Sequence, residues 1–134
     1  MKRRQKNRGR VEKRRYHRIG SEDLYVRMLR VMARKRLYLN KKCSREGLAR
    51  ELMTNRTYVS RALNARGMNF ARFVNSFRAE HAIELLARFD MAAVPLEDIA
   101  EMSGFASVEK MNEYVKKSAG LSACALRKRL LEEN

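Results

Sequence analysis

Residues 54–86 read TNRTYVSRALNARGMNFARFVNSFRAEHAIELL, and this stretch decides the fold. Asn55 is a typical N-cap residue, and the apolar residues after it recur at the spacing of an α-helix that Gly67 ends. Asn69 then opens the longest helix, which is predicted to continue to about Phe89. The apolar residues cover a wider face than a helix packed on one side requires, so we expect other parts of the chain to pack on both sides of this helix.

The helix after Asn55 belongs to a pattern that occurs twice. Residues 44–63 (SREGLARELMTNRTYVSRAL) and 95–115 (PLEDIAEMSGFASVEKMNEYV) share one plan. Each has a helix start, an apolar residue followed by alanine, a tight turn, a second cap and a helix with one polar face. Ser44 is the first cap of the first unit, and the second caps are Asn55 and Ser107. This plan is that of a helix-turn-helix, so the sequence predicts two such units.

The composition favours helices over strands. The 134 residues are 45% hydrophobic, but one proline and six glycines are a poor supply for the tight turns of an all-β fold. We therefore predict an all-α fold of about seven helices, the first capped by Ser21 and running to about Leu39. The predicted organisation is a basic, disordered arm over 1–20, a first helix-turn-helix unit over 21–68, a connecting helix over 69–89 and a second unit over 90–134.

Positive charge is concentrated toward the N-terminus. The formal net charge is +16, and residues 1–19 hold ten Lys or Arg against one acid. Residues 20–88 carry +9, whereas residues 89–134 carry −2. A concentrated positive field attracts polyanions, of which nucleic acid is the commonest, and generic solubilising charge is the alternative. The arm itself is interpreted either as a phosphate-binding tail or as a linker.

Over about residues 24–131 the chain resembles the AraC/XylS-type DNA-binding domain. The stretch quoted above corresponds to that family's recognition helix, its Gly-Met turn and its connecting helix ending in R-x-E-x-A-x-x-L-L, here from Arg78 to Leu86. IAEMSGFAS, at 99–107, matches the start of the second unit. The resemblance implies a sequence-specific double-stranded DNA-binding transcriptional regulator that inserts recognition helices into adjacent major grooves.

The resemblance also implies which residues meet DNA. The base-reading positions of the first unit fall on Thr57, Ser60 and Arg61, with Arg56, Tyr58 and Asn64 beside them. The guanidinium fork of Arg61 matches the two major-groove acceptors of guanine, and a phosphate contact or a solvated face is the alternative. Expected contacts of the second unit are Ser107, Lys110, Asn112, Lys116 and Lys117.

The chain departs from the family pattern in both units. Glu113 occupies a position where the family has arginine, and Glu109 adds a second acid to the same face. Carboxylates beside phosphates are more often repelled than bound, although a carboxylate can accept from cytosine. We therefore expect the first unit to dominate binding. In the first unit, Met53 stands where the family's turn glycine is expected.

Other functional classes find little support in the sequence. Cys43 and Cys124 have neither a CxxC nor a metal-ligand spacing, so no metal or cofactor is expected, and they are interpreted as reduced thiols of a cytoplasmic protein. No apolar run is long enough to span a bilayer. His17 and His81 have no nucleophile or carboxylate at a catalytic spacing, so we do not expect an enzyme.

Two partner classes besides DNA fit such a regulator, namely RNA polymerase and a sensor protein. The alternative function is a protein-interaction or output module of a larger regulator with weak or non-specific DNA binding. The acidic second half of the chain favours that alternative. An RNA-binding role has no stacking aromatic cluster to support it.

Overall fold

The computed structural model describes residues 23–133, which form seven α-helices and no strand. The first, α1, spans residues 23–35. The others are α2 (Arg45–Glu51), α3 (Arg56–Asn64), α4 (Phe70–Leu86), α5 (Leu96–Met102), α6 (Val108–Ala119) and α7 (Ala123–Glu133), with short 3-10 turns at Leu37–Leu39 and Phe89–Met91. The predicted all-α fold of about seven helices is confirmed. The predicted arm and the Ser21 cap lie outside the described residues.

Four predicted N-caps define where the helices of the two units begin. Each cap side chain accepts a hydrogen bond from the backbone N–H three residues ahead, which satisfies one of the donors that a helix start leaves unpaired. The pairs are Ser44 with Gly47 (3.0 Å), Asn55 with Tyr58 (3.1 Å), Asn69 with Arg72 (2.8 Å) and Ser107 with Lys110 (3.1 Å).

The first helix ends earlier than predicted. Arg36 adopts a left-handed backbone conformation (φ 51°), which cannot continue a right-handed helix, and residues Leu37–Leu39 form a separate 3-10 turn. The prediction of one helix running to about Leu39 is therefore wrong.

The connecting helix is also shorter than expected, because α4 ends at Leu86 rather than at Phe89. Arg88 is extended, and its guanidinium donates two hydrogen bonds to the Asp90 carboxylate across the turn that follows.

Two hydrophobic cores are joined by α4. Its first half contributes Phe73 and Val74 to a core shared with α1, α2 and α3. Its second half contributes Ala82 and Leu86 to a core shared with α5, α6 and α7. The expectation that the long helix packs on more than one side is confirmed, and α4 is the structural axis of both units.

Arg78 ties the middle of α4 to the segment after α1. Its Nε donates to the carbonyl oxygen of Tyr38 (2.6 Å) and its Nη2 to that of Asn40 (2.9 Å). Its Nη1 donates to Oδ1 of Asn75, one turn earlier on α4 (3.2 Å). Burial lowers the pKa of Arg78, but a guanidinium stays protonated in proteins, so it remains a charged donor to both carbonyls. The Asn40 carbonyl also accepts from the backbone N–H of Cys43 (3.1 Å).

Gly104 brings the second unit against the same segment. A Cβ on Gly104 would lie 2.3 Å from the carbonyl oxygen of Tyr38 and 3.0 Å from Nε of Arg78. Only glycine fits there, and its φ of +87° is also in the region that favours glycine. A salt bridge between Lys41 and Glu101 (3.7 Å) crosses the same junction. We call Tyr38, Asn40, Arg78 and Gly104 the inter-unit junction.

The turns of the two units close in the same way. In the first, Thr54 N–H donates to the carbonyl of Ala49 (2.9 Å), and in the second, Phe105 N–H donates to that of Ala100 (2.9 Å). Both turns need one left-handed residue, which is Gly104 in the second unit and Met53 (φ 55°) in the first. The Met53 side chain is 94% exposed, so no packing compensates for its backbone strain.

We predict that Met53→Gly stabilises the protein by about 0.5–1 kcal/mol. Glycine removes the steric cost of the left-handed conformation, which is about 1–2 kcal/mol. Roughly half of this gain is lost, because a glycine backbone loses more conformational entropy on folding. Chemical denaturation measures the difference. Met53→Ala is the matched control, since it removes the side chain but keeps the Cβ, and it should change stability by less than about 0.5 kcal/mol. Equal stability of the glycine variant and the wild type would show that the left-handed backbone of Met53 is not strained.

Candidate nucleic-acid interface

The recognition helix of the first unit, α3, has one buried and one open face. Val59, Ala62 and Leu63 are buried in the first core, as the pattern predicts. The opposite face exposes four of the predicted site residues, Arg56, Thr57, Arg61 and Asn64. Tyr58 and Ser60 are half-buried at the edges of this face. The structure thus brings all six residues together on one helix.

The exposed face of α3 carries no acid of its own. Its nearest acidic partner is Glu46 on α2, which forms a salt bridge of 3.4 Å with Arg56. A backbone hydrogen bond and the Arg56 guanidinium hold the pKa of this carboxyl below its ordinary value, so it is charged at neutral pH. The Arg61 guanidinium lies 5.9 Å from the centre of the Tyr58 ring. Arg61 therefore contacts an aromatic ring, and no carboxylate among the described residues forms a salt bridge with it.

Sequence reasoning missed one residue at this face, Arg45. It is the first residue of α2, and its Nη1 donates to Oγ of Ser60 at 3.2 Å. No local sequence signal predicts this contact, because it depends on how α2 packs against α3.

The second recognition helix, α6, buries Met111, Tyr114 and Val115. Its open face carries Lys110, Lys116 and Lys117 as predicted, together with Glu109 and Glu113. Ser107 lies at its N-terminus, and its hydroxyl oxygen is used by the cap.

Asn112 has a structural contact that the sequence did not predict. Its Oδ1 accepts a hydrogen bond from the backbone N–H of Ala123 at 2.9 Å, and the side chain is half-buried. It thereby caps the start of α7 from the side. Of the predicted site residues on α6, Asn112 is the least free to contact an external ligand.

Glu113 neutralises much of the positive charge on α6. Its carboxylate pairs with Lys110 (3.1 Å) and with Lys117 (3.9 Å). The hydrogen bond and the charge of Glu113 raise the pKa of Lys110. Lys117 also lies 4.7 Å from the centre of the Tyr114 ring. Two of the three lysines on this face therefore pair with an acid on the same helix, whereas α3 carries no acid.

The described residues include one histidine, His81, which lies on α4. His81 is half-buried beside the Tyr38 ring, and desolvation lowers its pKa, as suits a packing residue. Within residues 23–133, no cluster of three potential metal ligands is found. No helix in that range has the length and hydropathy needed to cross a membrane.

The geometry is that of two helix-turn-helix units on one axis, and over residues 48–129 the chain matches a family model for a helix-turn-helix domain. The chain belongs to the AraC-type helix-turn-helix family. Members of this family are DNA-binding transcriptional regulators, so the prediction that the chain is not an enzyme is confirmed.

Two proteins described as TCP pilus virulence regulatory protein, from two strains of Vibrio cholerae serotype O1, are each 32% identical to the chain over 72 residues. The match covers 54% of this chain and 25% of each relative, so it spans about a quarter of the length of these relatives.

Two solved structures share the fold. The C-terminal domain of AraT, a response regulator from Geobacillus stearothermophilus, is 25% identical with a TM-score of 0.59, covering 76% of this chain and 84% of that one. A DNA-binding transcriptional dual regulator from Escherichia coli K-12 has a TM-score of 0.59 at 14% identity, covering 68% of this chain and 79% of that one. The predicted family is therefore confirmed.

Proposed function

We propose that this AraC-type domain binds double-stranded DNA sequence-specifically, with α3 and α6 entering adjacent major grooves and α3 supplying most of the affinity and specificity. The observation that carries the proposal is the open face of α3, on which Arg56, Arg61, Thr57 and Asn64 are exposed without an acid on the helix. Cationic forks and short polar side chains on one helix face are the groups that read base edges.

The length of α4 fits this geometry. Its 17 residues correspond to about 25 Å at 1.5 Å per residue, and both recognition helices contact it. Successive major grooves on one face of B-DNA are about 34 Å apart. Because α3 and α6 both pack against α4, we propose that this helix holds them close enough for exposed side chains to reach successive major grooves.

The two units are expected to contribute unequally. On α3, Arg61 is free to present its fork to guanine O6 and N7. On α6, Glu113 holds Lys110 and Lys117, and Asn112 is engaged with α7. Lys116 and the N-terminal end of the helix are then the main sources of phosphate contact in the second groove.

A second candidate function is a protein-interaction module, and two acids on α6 and the acidic second half of the chain favour it. Glu109 and Glu113 lie exposed on the helix that should meet DNA, and residues 89–134 carry a net −2. RNA polymerase and a sensor protein are the partner classes that suit a regulator of this family. Protection of one groove rather than two in footprinting would favour this reading of the second unit.

The function is tested by selecting duplexes from a random-sequence library with the whole chain and then comparing Arg61 variants on the selected site. Arg61→Ala should cost about 1–3 kcal/mol and relax the preference at one or two base pairs. Arg61→Lys, the matched control, keeps the charge but loses the fork, so it should lose base preference while retaining most non-specific affinity. Failure to enrich any sequence would overturn the proposal, and an equal loss on all duplexes would make Arg61 a phosphate contact.

Glu113→Gln should tighten non-specific binding and steepen the dependence of log K on log salt. The substitution releases two lysines, and each one that gains a phosphate contact should add about one unit to the slope. Glu109→Gln is the matched control, because it removes the same charge from the same helix without a described lysine partner to release.

Titrations of both glutamine variants against salt provide the measurement. Equal slopes for the two variants would show that the lysine pairing has no effect on binding. A loss of affinity for the selected site alone would show that Glu113 accepts from a cytosine.

A further inference from the structure

The contact between α2 and α3 identifies a DNA-facing residue outside both recognition helices. Arg45 is exposed at the start of α2, and it donates through Nη1 to Oγ of Ser60 on α3 (3.2 Å). A hydroxyl that accepts from a cation keeps its own hydrogen available to donate. The contact therefore makes Ser60 a donor aimed away from Arg45.

Most donor capacity of Arg45 is uncommitted. A guanidinium has five N–H groups, of which the Ser60 contact uses one. Among the described residues, Arg45 forms no salt bridge, and the adjacent carboxylate of Glu46 is paired with Arg56 instead. Its charge thus lies beside the polar face of α3, ready for an anion.

We propose that Arg45 binds a phosphate that flanks the bases read by α3, and that it also positions the Ser60 hydroxyl as a donor to the base edge. This inference rests on the proposed function, and it adds a contact from the first helix of the unit. In the second unit, the equivalent position after the helix start is Leu96, which is half-buried and cannot bind phosphate. The inferred contact is therefore another source of inequality between the units.

The experiment is a double-mutant cycle in the full chain on the duplex selected by the wild type. Arg45→Ala should weaken binding to all duplexes about tenfold at low salt, with the slope of log K against log salt reduced by about one. It should also relax preference at the base pair that Ser60→Ala affects. In the Ser60→Ala background, Arg45→Ala should retain the uniform loss but cause no further change in preference.

Two further variants separate charge from position. Arg50→Ala removes the same charge from an exposed site five residues along α2, on a different face, and should leave affinity within about twofold. Arg45→Lys should keep the salt slope but relax the preference as Arg45→Ala does, because an ammonium lacks the fork that spans Ser60 and a phosphate.

The outcomes distinguish this inference from the function on which it rests. If the wild type enriches no duplex, the proposed function fails. If the wild type binds and Arg45→Ala behaves like Arg50→Ala, only the Arg45 contact is overturned. If the preference changes of Arg45→Ala and Ser60→Ala are additive, Arg45 does not position Ser60. Since Arg45 is exposed and Ser60 is only half-buried, all variants should unfold close to the wild-type temperature, which circular dichroism verifies.

Discussion

The contact of the Arg78 guanidinium with the carbonyl oxygens of Tyr38 and Asn40 is the constraint on which the arrangement of both units depends. It fixes the segment after α1 against the middle of α4, where the first core ends and the second begins. Without it, the buried carbonyl of Tyr38 and the half-buried guanidinium would lose their partners, at a cost of about 1–3 kcal/mol for each group, whereas the exposed Asn40 carbonyl would keep its bond from Cys43 N–H. Gly104 then seats the turn of the second unit on the same carbonyl.

This junction explains why two turns of the same design carry different residues. Both need a left-handed residue, and at Gly104 a Cβ would overlap with the backbone of the segment after α1. The turn at Met53 faces solvent, so a side chain costs strain without a clash. The glycine of the second unit is thus a requirement of the junction, whereas in the first unit the same position tolerates a non-glycine residue.

Local signals in the sequence were enough to predict much of the fold. The caps Ser44, Asn55, Asn69 and Ser107 act through side chains and backbone only three residues apart, so their pattern is visible without tertiary structure. The end of α1 was not predictable in this way, because the left-handed Arg36 precedes a turn whose carbonyls are held by Arg78, about 40 residues away.

At the candidate interface, too, the sequence predicted what depends on local pattern and missed what depends on contacts between helices. Helical periodicity was sufficient to group the exposed residues of α3 and α6. It could not reveal that Asn112 is used by α7, or that Arg45 reaches Ser60 from another helix. Both facts depend on how separate helices pack, and they change which of the grouped side chains remain available to a ligand.

We infer that the inter-unit junction holds α3 and α6 at one fixed distance and orientation. Spin labels on Thr57→Cys and Glu109→Cys, with Cys43 and Cys124 replaced by alanine, report that relation as a distance distribution by pulsed electron resonance. We expect a single narrow distribution of distances between the two labels. When Gly104→Ala is added, we expect a shifted or broadened distribution with the helix content retained. A broad distribution without Gly104→Ala, or one that this substitution leaves unchanged, would contradict the claim.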